Sequence, residues 1–490
     1  MAMSRILFLQ DSGLNESLAV TDLSSWLQEN GHQTHLLLEN EERNLTGEML
    51  SYDPKLVVIP CPVGGEHVAK RLASIVKKSM PSVSVMMGGT SATFEPELAM
   101  DPNIDAVCAG EAEGVTLELV ERLAANESFS DLANLSTCEE GKIVSNPPRA
   151  LIQNLDDLPM PDRDLYFRHP FIARFPWKKF ATGRGCVHSC SFCWNPNLKE
   201  MYDSADRELN RGRSSFVRRK SPERSVEEVA WVKERYPLSA VHFSDDLFTI
   251  GTRWLEEFAN LYASRVGVPF TCNSSIELVT KSTIDALVAA GCRGVAIGIE
   301  TGNEDLRSKI LNKRVSNDQV RQAARIIKSA GLELTTFNML GSPGETISDA
   351  FDTVRLNREI GTDHMRVALA VPMPHSEWEQ QAWNSGHLSE NYSSGLAEGL
   401  SKPKTTFKGS ETKAFENFYY LFRLMVRHPK FEPGLRAMLR LNSSRPLQPF
   451  RLLNALEEKR IFNLDWGEGL RFFSHVGDPK SRTANYVTLI

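Results

Sequence analysis

Three cysteines lie within eight positions of the segment GRGCVHSCSFCWNP, which begins at residue 183. They are Cys186, Cys190 and Cys193, in a chain of 490 residues that has 8 cysteines in all. A [4Fe-4S] cluster usually takes four protein thiolates, so a loop with three of them leaves one iron open to a non-protein ligand. A structural zinc site is the alternative, because His188 lies between the thiols and completes a set of three cysteines and one histidine.

The composition is that of an ordinary globular protein, with 41% hydrophobic residues, 24% charged residues and a formal net charge of -6. This charge gives no support for nucleic-acid binding. The apolar run in MAMSRILFLQDSG is too short for a secretion signal, and no stretch has the length of a membrane span. We therefore expect a cytoplasmic protein without stable membrane insertion, in which clustered cysteines are ligands or catalytic groups rather than disulfides.

The length predicts two large domains with an appendage. Residues 1–125 alternate apolar, β-branched runs with amphipathic stretches, which predicts five βα units in a doubly wound, Rossmann-like or flavodoxin-like domain. The predicted strands are RILFLQ, THLLLE, KLVVIP, SVSVMMGG and DAVCAG. In such a domain the ligand lies beyond the carboxyl ends of the strands.

Small residues recur in the loops that leave these strand ends, and they allow a large planar or phosphate-bearing ligand to approach the backbone. Tight turns are the alternative explanation for any single glycine. The candidate ligand-binding residues are Asp11, Ser12, Gly13, Gly64, Gly65, Gly88, Gly89, Thr90, Ser91, Gly110 and Glu111.

A second series of six strand and helix segments begins at Lys179, after a proline-containing connector. Six units are fewer than the eight of a closed barrel, so we predict a partial (βα)6 barrel with its reacting groups at the carboxyl ends of the strands. Beyond about residue 385 the alternation stops and a mainly helical, aromatic and basic tail is expected. The predicted divisions are 1–140, a linker over 141–178, the barrel over 179–385 and the tail over 386–490.

The segment CVHSCSFC resembles the CxxxCxΦC signature of radical S-adenosylmethionine (SAM) enzymes, with Phe192 in the aromatic position. In that family the open iron is chelated by SAM, and one electron from the cluster cleaves SAM to methionine and a 5′-deoxyadenosyl radical. The resemblance implies an external one-electron reductant such as flavodoxin or ferredoxin. The protein itself supplies position, electronics and exclusion of water.

Later segments extend this resemblance to the SAM site. It implies that Asp245 or Asp246 lies near the methionine amino group and that Glu300 accepts from the ribose hydroxyls. It also implies that Met339 to Gly341 bring backbone against the adenine, with Phe192 on its other side. An N-cap explains the aspartate pair equally simply, and a solvent-facing carboxylate explains Glu300.

Residues 1–125 resemble the cobalamin-binding domain that precedes the radical barrel in a large subclass of this family. The segments VSVMMGGTSATFEPEL and DAVCAGEAEGVTLELV carry this resemblance, together with NLDDLPMPDRDL in the connector. One departure is that the first loop, DSGLNESLA, lacks the histidine that many cobalamin proteins place beneath cobalt. His67 is the one imidazole that we consider near this site, and a solvent-facing position on a helix is the simpler explanation for it.

The resemblance implies a cobalamin-dependent radical SAM methyltransferase that methylates an unactivated carbon of a small molecule through a 5′-deoxyadenosyl radical and methylcobalamin. Oxidative cyclisation or ring rearrangement without methyl transfer is the alternative, since it uses the same motifs. A zinc-stapled binding protein belongs to a different class and predicts one zinc and no colour.

Three residues near the ends of predicted barrel strands are candidates for contact with the substrate. MPHSEW follows the last predicted barrel strand, so His375 and Trp378 are candidate pocket residues, with a packed turn as the alternative. Cys272 lies near the end of the third strand and is a third candidate, although free cysteines in apolar strands are commonly core residues.

Overall fold

The computed structural model describes residues 3–13, 16–212, 214–388 and 411–450. These residues form two compact units. The N-terminal unit contains the residues up to Arg174 together with Asn197–Arg218, and the barrel unit contains Phe175–Pro196 and the described residues from Arg219 onward.

The N-terminal unit is built on one seven-stranded sheet. Numbered along the chain, its strands lie in the order 2-1-3-4-5-6-7, with the first five parallel and the last two antiparallel. The order 2-1-3-4-5 is that of a flavodoxin-like domain, so the predicted doubly wound fold is confirmed. The strands are Arg5–Gln10, Gln33–Leu38, Leu56–Pro60, Ser84–Gly88, Ala106–Cys108, Leu135–Glu139 and Lys142–Ser145.

Helices cover this sheet because its parallel strands are apolar on both faces. Helix Glu66–Ser79 shows how they pack, since it buries Ala69, Leu72 and Val76 against the strands. The helices of this unit are Leu18–Glu29, Leu45–Tyr52, Glu66–Ser79, Thr90–Phe94, Glu113–Ala125, Asp164–Phe167 and Pro170–Arg174, with 3-10 turns at Pro96–Met100 and Leu155–Asp157.

The linker predicted over residues 141–178 begins inside a hairpin. Glu140 (φ 50) and Gly141 (φ 76) both have positive φ and join the sixth and seventh strands in a two-residue turn. Positive φ at both turn residues matches the right-handed twist of the flanking strands. The predicted division at residue 140 therefore falls inside this turn, and short helices follow it before the barrel.

The barrel unit contains a curled sheet of six parallel strands, each beside its neighbour along the chain. This agrees with the predicted partial barrel. The first strand lies two residues earlier than the predicted start at Lys179. The six strands are Trp177–Phe180, Ala240–Phe243, Phe270–Ser274, Cys292–Glu300, Glu333–Leu340 and His364–Leu369.

Helices lie between the barrel strands, as the predicted alternation of strand and helix requires. They are Pro222–Arg235, Thr252–Arg265, Lys281–Ala289, Asn317–Ser329 and Ile347–Glu359, and a further helix, Glu377–Asn384, follows the last strand. Helix Asn195–Glu208, which follows the cysteine loop, was not predicted from the sequence. Its apolar residues Leu198, Met201 and Tyr202 have helical spacing, which is the signal that was available.

An aromatic cluster joins the first three barrel strands to helix Thr252–Arg265, and Phe180 of the first strand lies 6.3 Å from Phe243 in it. The ring of Phe243 lies 4.5 Å from that of Phe248 and 5.2 Å from that of Phe270, and it meets Phe258 edge-on at 5.4 Å. Edge-on and offset pairs of this kind add to the free energy gained from burial. The cluster therefore holds the strands whose carboxyl ends carry the candidate site.

The C-terminal region is helical over its described residues, as predicted. Helix Thr412–Arg427 buries Phe418 and Phe422 against Met365 and Val367 of the sixth barrel strand. Helix Glu432–Met438 and a 3-10 turn at Arg445–Phe450 follow. The remainder of the predicted tail, residues 389–410 and 451–490, lies outside the described residues. Among the described helices, none combines the length and apolar character needed to cross a bilayer.

Candidate active site

The three cysteines lie in the loop between the first barrel strand and helix Asn195–Glu208. All three are partly exposed and none is in a disulfide. The backbone N–H of Asn195 donates to Sγ of Cys193 at 3.4 Å, and that of His188 donates to Sγ of Cys186 at 3.5 Å. Hydrogen bonds to the sulfur stabilise a thiolate and tune an iron–sulfur cluster.

The donor set fits a cluster better than a single metal ion. The described residues hold no group of three or more His, Cys, Asp or Glu side chains that converges on one ion, as a Cys3His zinc site requires. In a [4Fe-4S] cluster each thiolate binds a different iron, so the sulfurs stay apart. Burial raises the pKa of the thiols, to about 11 for Cys190 and about 12 for Cys193. Such thiols become thiolates when cationic iron binds them.

Neighbouring segments of the barrel unit hold the middle of this loop. Ser191 donates from its N–H to the carbonyl of Leu311 at 3.1 Å and from Oγ to the carbonyl of Ile310 at 2.6 Å. Its own carbonyl accepts from the N–H of Trp378 at 3.0 Å. Asn312 also donates to the carbonyl of Ser189 at 2.8 Å. The loop is therefore positioned by residues that the cysteine spacing does not reveal.

The two aspartates after the second barrel strand have different surroundings. Asp245 is buried and accepts from Thr182 through its N–H at 2.9 Å and its Oγ1 at 2.7 Å, while Arg219 donates to the same hydroxyl at 3.0 Å. Asp246 accepts from Nδ2 of Asn195 at 3.0 Å. Burial raises the pKa of both carboxyls. Asp245 thus ties two strand ends together, whereas Asp246 lies beside the cysteine loop and is the better placed of the two for a ligand.

Glu300 ends the fourth strand in an unusual backbone conformation. The register shifts between Gly298 and Glu300, so Ile299 is an extra residue that bulges, and Glu300 has φ 59. Bulges re-aim side chains next to active sites, and positive φ costs free energy in a residue with a Cβ. Lys313 donates to Oε1 of Glu300 at 3.0 Å. The buried carboxylate is therefore held in place, and the solvent-facing alternative does not describe it.

The end of the fifth strand is shaped by a buried carboxyl group that the sequence analysis missed. Oε2 of Glu345 accepts from the N–H of Gly341 at 2.7 Å and from that of Ser342 at 2.8 Å. Burial raises the pKa of Glu345 to about 8. Gly341 itself has φ 81, and Met339 is partly exposed between two buried neighbours. The hydrogen bonds to Glu345 thus hold in place the backbone that is predicted to contact the adenine.

The predicted aromatic residue and the three candidate substrate residues have different surroundings. Phe192 meets Trp378 edge-on, with ring centroids 6.4 Å apart. Trp378 is 1% exposed, so it supports the cysteine loop, as the packed-turn alternative predicts. Cys272 is fully buried and interacts with Cys292, so it is a core residue, as the alternative for a free cysteine in an apolar strand predicts. His375 is exposed, with φ 62, in the turn before helix Glu377–Asn384.

In the N-terminal unit, the third and fourth strand ends form one connected edge. Oε1 of Glu66 accepts from the N–H of Gly64 at 2.9 Å and also from the hydroxyl of Ser91, which joins the two loops. Gly89 has φ 119 and ψ -170, and a Cβ there would lie 2.9 Å from the carbonyl oxygen of Cys61. Together with Gly65, Gly88 and Thr90, these residues offer backbone rather than side chains to a ligand.

The first and fifth strand ends are packed against other parts of the same unit. A Cβ on Gly13 would collide with Ile172, and one on Gly110 would collide with the hydroxyl of Tyr202. Glu111 accepts from the N–H of Ile152 at 3.0 Å and from Arg218 as well. Tight packing is thus the local reason for these two glycines. Asp11 and Ser12 lie beside the switch point between the first and third strands, where a doubly wound domain binds its ligand.

His67 lies on the exposed side of helix Glu66–Ser79. This is the solvent-facing position that the sequence analysis gives as the simpler explanation. The described part of the first loop, residues 11–13 and 16–17, contains no histidine.

Comparison with known families divides the chain in the same way as its fold. The model of the B12 binding domain matches residues 11–120, and the model of the radical SAM superfamily matches residues 180–356. A radical SAM domain uses a [4Fe-4S] cluster and SAM, and a B12 binding domain uses cobalamin. The thiol loop fits the cluster, and the small-residue edge of the doubly wound sheet fits cobalamin.

Similar proteins carry related names. An uncharacterised methyltransferase of Pyrococcus horikoshii is 29% identical over 346 residues, covering 70% of this chain and 72% of that protein. The anaerobic magnesium-protoporphyrin IX monomethyl ester cyclase of Rubrivivax gelatinosus is 23% identical over 380 residues, covering 74% and 65%. Cytidylyl-2-hydroxyethylphosphonate methyltransferase of Streptomyces wedmorensis is 22% identical over 362 residues, covering 66% and 64%.

Solved structures share the fold at lower identity. The cobalamin-dependent SAM radical enzyme OxsB, with aqua-cobalamin bound, has a TM-score of 0.67 and 14% identity, covering 98% of this chain and 76% of that one. The radical SAM methyltransferase TsrM of Kitasatospora setae, with cobalamin and a [4Fe-4S] cluster bound, has a TM-score of 0.63 and 16% identity, covering 78% and 76%. The family models, with which these folds agree, therefore show a chain in which a B12 binding domain precedes a radical SAM domain.

Proposed function

We propose that this enzyme is a cobalamin-dependent radical SAM methyltransferase that methylates an unactivated carbon of a small molecule. The observation that carries the proposal is the presence, in one chain, of a three-thiolate loop at the end of the first barrel strand and a B12 binding domain. The names of two similar proteins, from Pyrococcus horikoshii and Streptomyces wedmorensis, support methyl transfer.

Within the barrel unit the proposed roles follow from the local contacts. Cys186, Cys190 and Cys193 hold the cluster and leave one iron for SAM. Asp246, beside the cysteine loop, is the proposed partner of the SAM amino group. Glu300 accepts hydrogen bonds from the ribose, because a charged, preplaced acceptor reads a pair of hydroxyls well.

When bound, the reduced cluster supplies the electron that splits SAM into methionine and a 5′-deoxyadenosyl radical, and cobalamin carries the methyl group. For each methyl transferred we expect one 5′-deoxyadenosine, one methionine and one S-adenosylhomocysteine. The electrons come from an external one-electron donor such as flavodoxin or ferredoxin. In the N-terminal unit, the loops at 11–13, 62–65 and 88–91 are proposed to hold cobalamin through their backbone.

Oxidative cyclisation is a second candidate, favoured by the similarity to the magnesium-protoporphyrin IX monomethyl ester cyclase of Rubrivivax gelatinosus. A cyclase forms 5′-deoxyadenosine in the same way but has no use for a methyl donor. The two functions therefore differ in one product of SAM, S-adenosylhomocysteine, and this difference can be measured before the substrate is known.

The test is to reconstitute the full chain without oxygen with iron, sulfide and cobalamin, and to supply a reductant and SAM that carries a CD3 methyl group. We expect 5′-deoxyadenosine and S-adenosylhomocysteine together, and a cobalamin whose mass includes CD3. Mass spectrometry of the quenched mixture measures all three. Formation of 5′-deoxyadenosine without the other two products would reject methyl transfer and favour the cyclase.

A further inference from the structure

Lys313 is a largely buried cation that lies outside every motif named above. Its side chain is 14% exposed, and Nζ donates to the carbonyl of Gly298 at 2.6 Å and to Oε1 of Glu300 at 3.0 Å. A Cβ on Gly298 would collide with both the Glu300 carboxylate and the Lys313 ammonium. The glycine therefore makes room for an ion pair that packs directly over the bulge.

The segment that carries Lys313 is the same one that holds the cysteine loop. Ile310 and Leu311 accept from Ser191, and Asn312 donates to the carbonyl of Ser189. Three consecutive residues thus fix the loop, and the fourth reaches Glu300. This arrangement places a positive charge between the cysteine loop and the end of the fourth strand.

The contacts of residues 310–312 bring the charge of Lys313 close to the thiols. Ser191, which donates to Ile310 and Leu311, follows Cys190 directly in the chain. Ser189, whose carbonyl accepts from Asn312, directly precedes Cys190. Lys313 therefore follows a segment that binds both chain neighbours of Cys190.

A group that gains an electron is stabilised by a nearby positive charge, most strongly where water is excluded. The reduction potential of an iron–sulfur cluster depends on the charges, hydrogen bonds and solvent around it. Without Lys313, the Glu300 carboxylate would remain near the cluster with its negative charge unbalanced. Reduction of the cluster would then become less favourable.

We propose that Lys313 is a positioning residue that holds the Glu300 carboxylate over Gly298 and raises the reduction potential of the cluster. The inference rests on the cluster site proposed above. It concerns the cluster alone, so neither substrate nor methyl transfer enters its test.

The experiment is a potentiometric titration of the reconstituted full chain, followed by the electron paramagnetic resonance signal of the reduced cluster. We expect Lys313→Met to lower the equilibrium constant for reduction about tenfold, which is about 59 mV for a one-electron couple. Lys313→Arg keeps the charge and should restore most of the potential. Lys309→Met is the matched control, because Lys309 is 71% exposed and pairs with Asp305, and it should leave the potential unchanged.

Two further variants separate charge from loss of packing. Glu300→Gln removes a negative charge and should raise the potential, and the double variant Lys313→Met/Glu300→Gln should return it towards that of the wild type. Loss of packing alone would not give shifts of opposite sign that cancel. If Lys313→Met does not bind iron, Glu300→Gln tests the inference by itself. A rise in the reduction potential of that variant supports the inference, and a fall contradicts it.

An unchanged potential in Glu300→Gln and in cluster-loaded Lys313→Met would overturn this inference while leaving the proposed function intact. A wild-type protein that holds no cluster would instead overturn the proposed function itself. Iron and sulfide analysis of each sample distinguishes the two results.

Discussion

The barrel unit and the N-terminal unit both place their candidate sites at the carboxyl ends of parallel strands, but they build them from different material. At the barrel edge the site consists of side chains, namely thiols and carboxylates that accept hydrogen bonds from neighbouring residues. At the edge of the doubly wound sheet it consists of backbone and small residues. The first kind of site loses function when a side chain is removed, and the second when one is added.

The contrast follows from what each site has to bind. A cluster needs thiolates, and a ribose and an amine need fixed hydrogen-bond partners, so the barrel edge must place ionisable groups accurately. A large planar cofactor needs a close-fitting surface, which Gly89 and its neighbours provide because they lack bulk. Substitutions that remove or add single groups therefore test the comparison directly.

The largest effect is expected from Cys193→Ala. The variant leaves two thiolates on the loop, which cannot hold the cluster with one open iron, so bound iron and SAM cleavage should fall to background. The matched control is Cys138→Ala, because Cys138 is an exposed free cysteine of the N-terminal hairpin. Iron analysis and visible absorption measure the loss, and retention of a full cluster in Cys193→Ala would refute the assignment of this loop.

Glu300→Gln should have the next largest effect. The substitution keeps the shape of the side chain but removes the charge that strengthens its hydrogen bonds, a contribution of about 1.5–3 kcal/mol. We expect the Kd for SAM to rise about tenfold or more, with iron content unchanged. Glu256→Gln, on the exposed side of helix Thr252–Arg265, is the control. Equal SAM affinity in the two variants would remove Glu300 from the SAM site.

Gly89→Ala tests the other half of the comparison. The backbone angles of Gly89 belong to a region used almost only by glycine, and the new Cβ would meet the carbonyl of Cys61. We therefore expect the free energy of unfolding to fall by about 1–3 kcal/mol and the protein to retain cobalamin less well. Gly141→Ala is the matched control, since Gly141 has φ 76 and a Cβ added there would meet open space, with nothing within 4 Å beyond its chain neighbours.

Cobalt content after gel filtration and the thermal unfolding midpoint distinguish a loss of stability alone from a loss of stability together with cobalamin binding. Gly141→Ala should lower only the midpoint, by the strain of positive φ, about 1–2 kcal/mol. Gly89→Ala should lower both cobalt content and midpoint. Full cobalt retention in Gly89→Ala would show that this loop does not contact cobalamin.

The sequence predicts the fold well where periodicity is strong. The five parallel strands of the N-terminal unit and the six of the barrel unit appear as expected, because buried parallel strands form nearly continuous apolar runs. The hairpin at residues 135–145 was missed, since its Glu140-Gly141 turn is a weaker signal than Asn-Gly or Asp-Gly. Helix Asn195–Glu208 was missed because its helical spacing rests on only a few apolar residues in a largely polar segment.

The site is predictable to the extent that its residues lie in short motifs. Spacing alone identifies the three cysteines. It cannot identify Lys313 or Glu345, whose roles depend on a bulge and on buried contacts that form only in the folded chain. It also cannot separate Asp245 from Asp246, because adjacent residues receive different neighbours only when the strands come together.

Glu345→Gln should have the smallest effect on cofactor binding, and it tests a place where the barrel edge, like the N-terminal edge, offers backbone. Burial raises the pKa of Glu345 from 4.5 to about 8, so between these values the folded chain holds a proton that the unfolded chain has released. The stability of the wild type should therefore fall as pH rises from about 4.5 to about 8, by at most about 1.4 kcal/mol per pH unit from this group. Glutamine can accept from Gly341 and Ser342 without titrating. The thermal midpoint of the variant should thus match that of the wild type near pH 5 and exceed it near pH 8.5, and a difference that does not vary with pH would contradict the protonated state of Glu345.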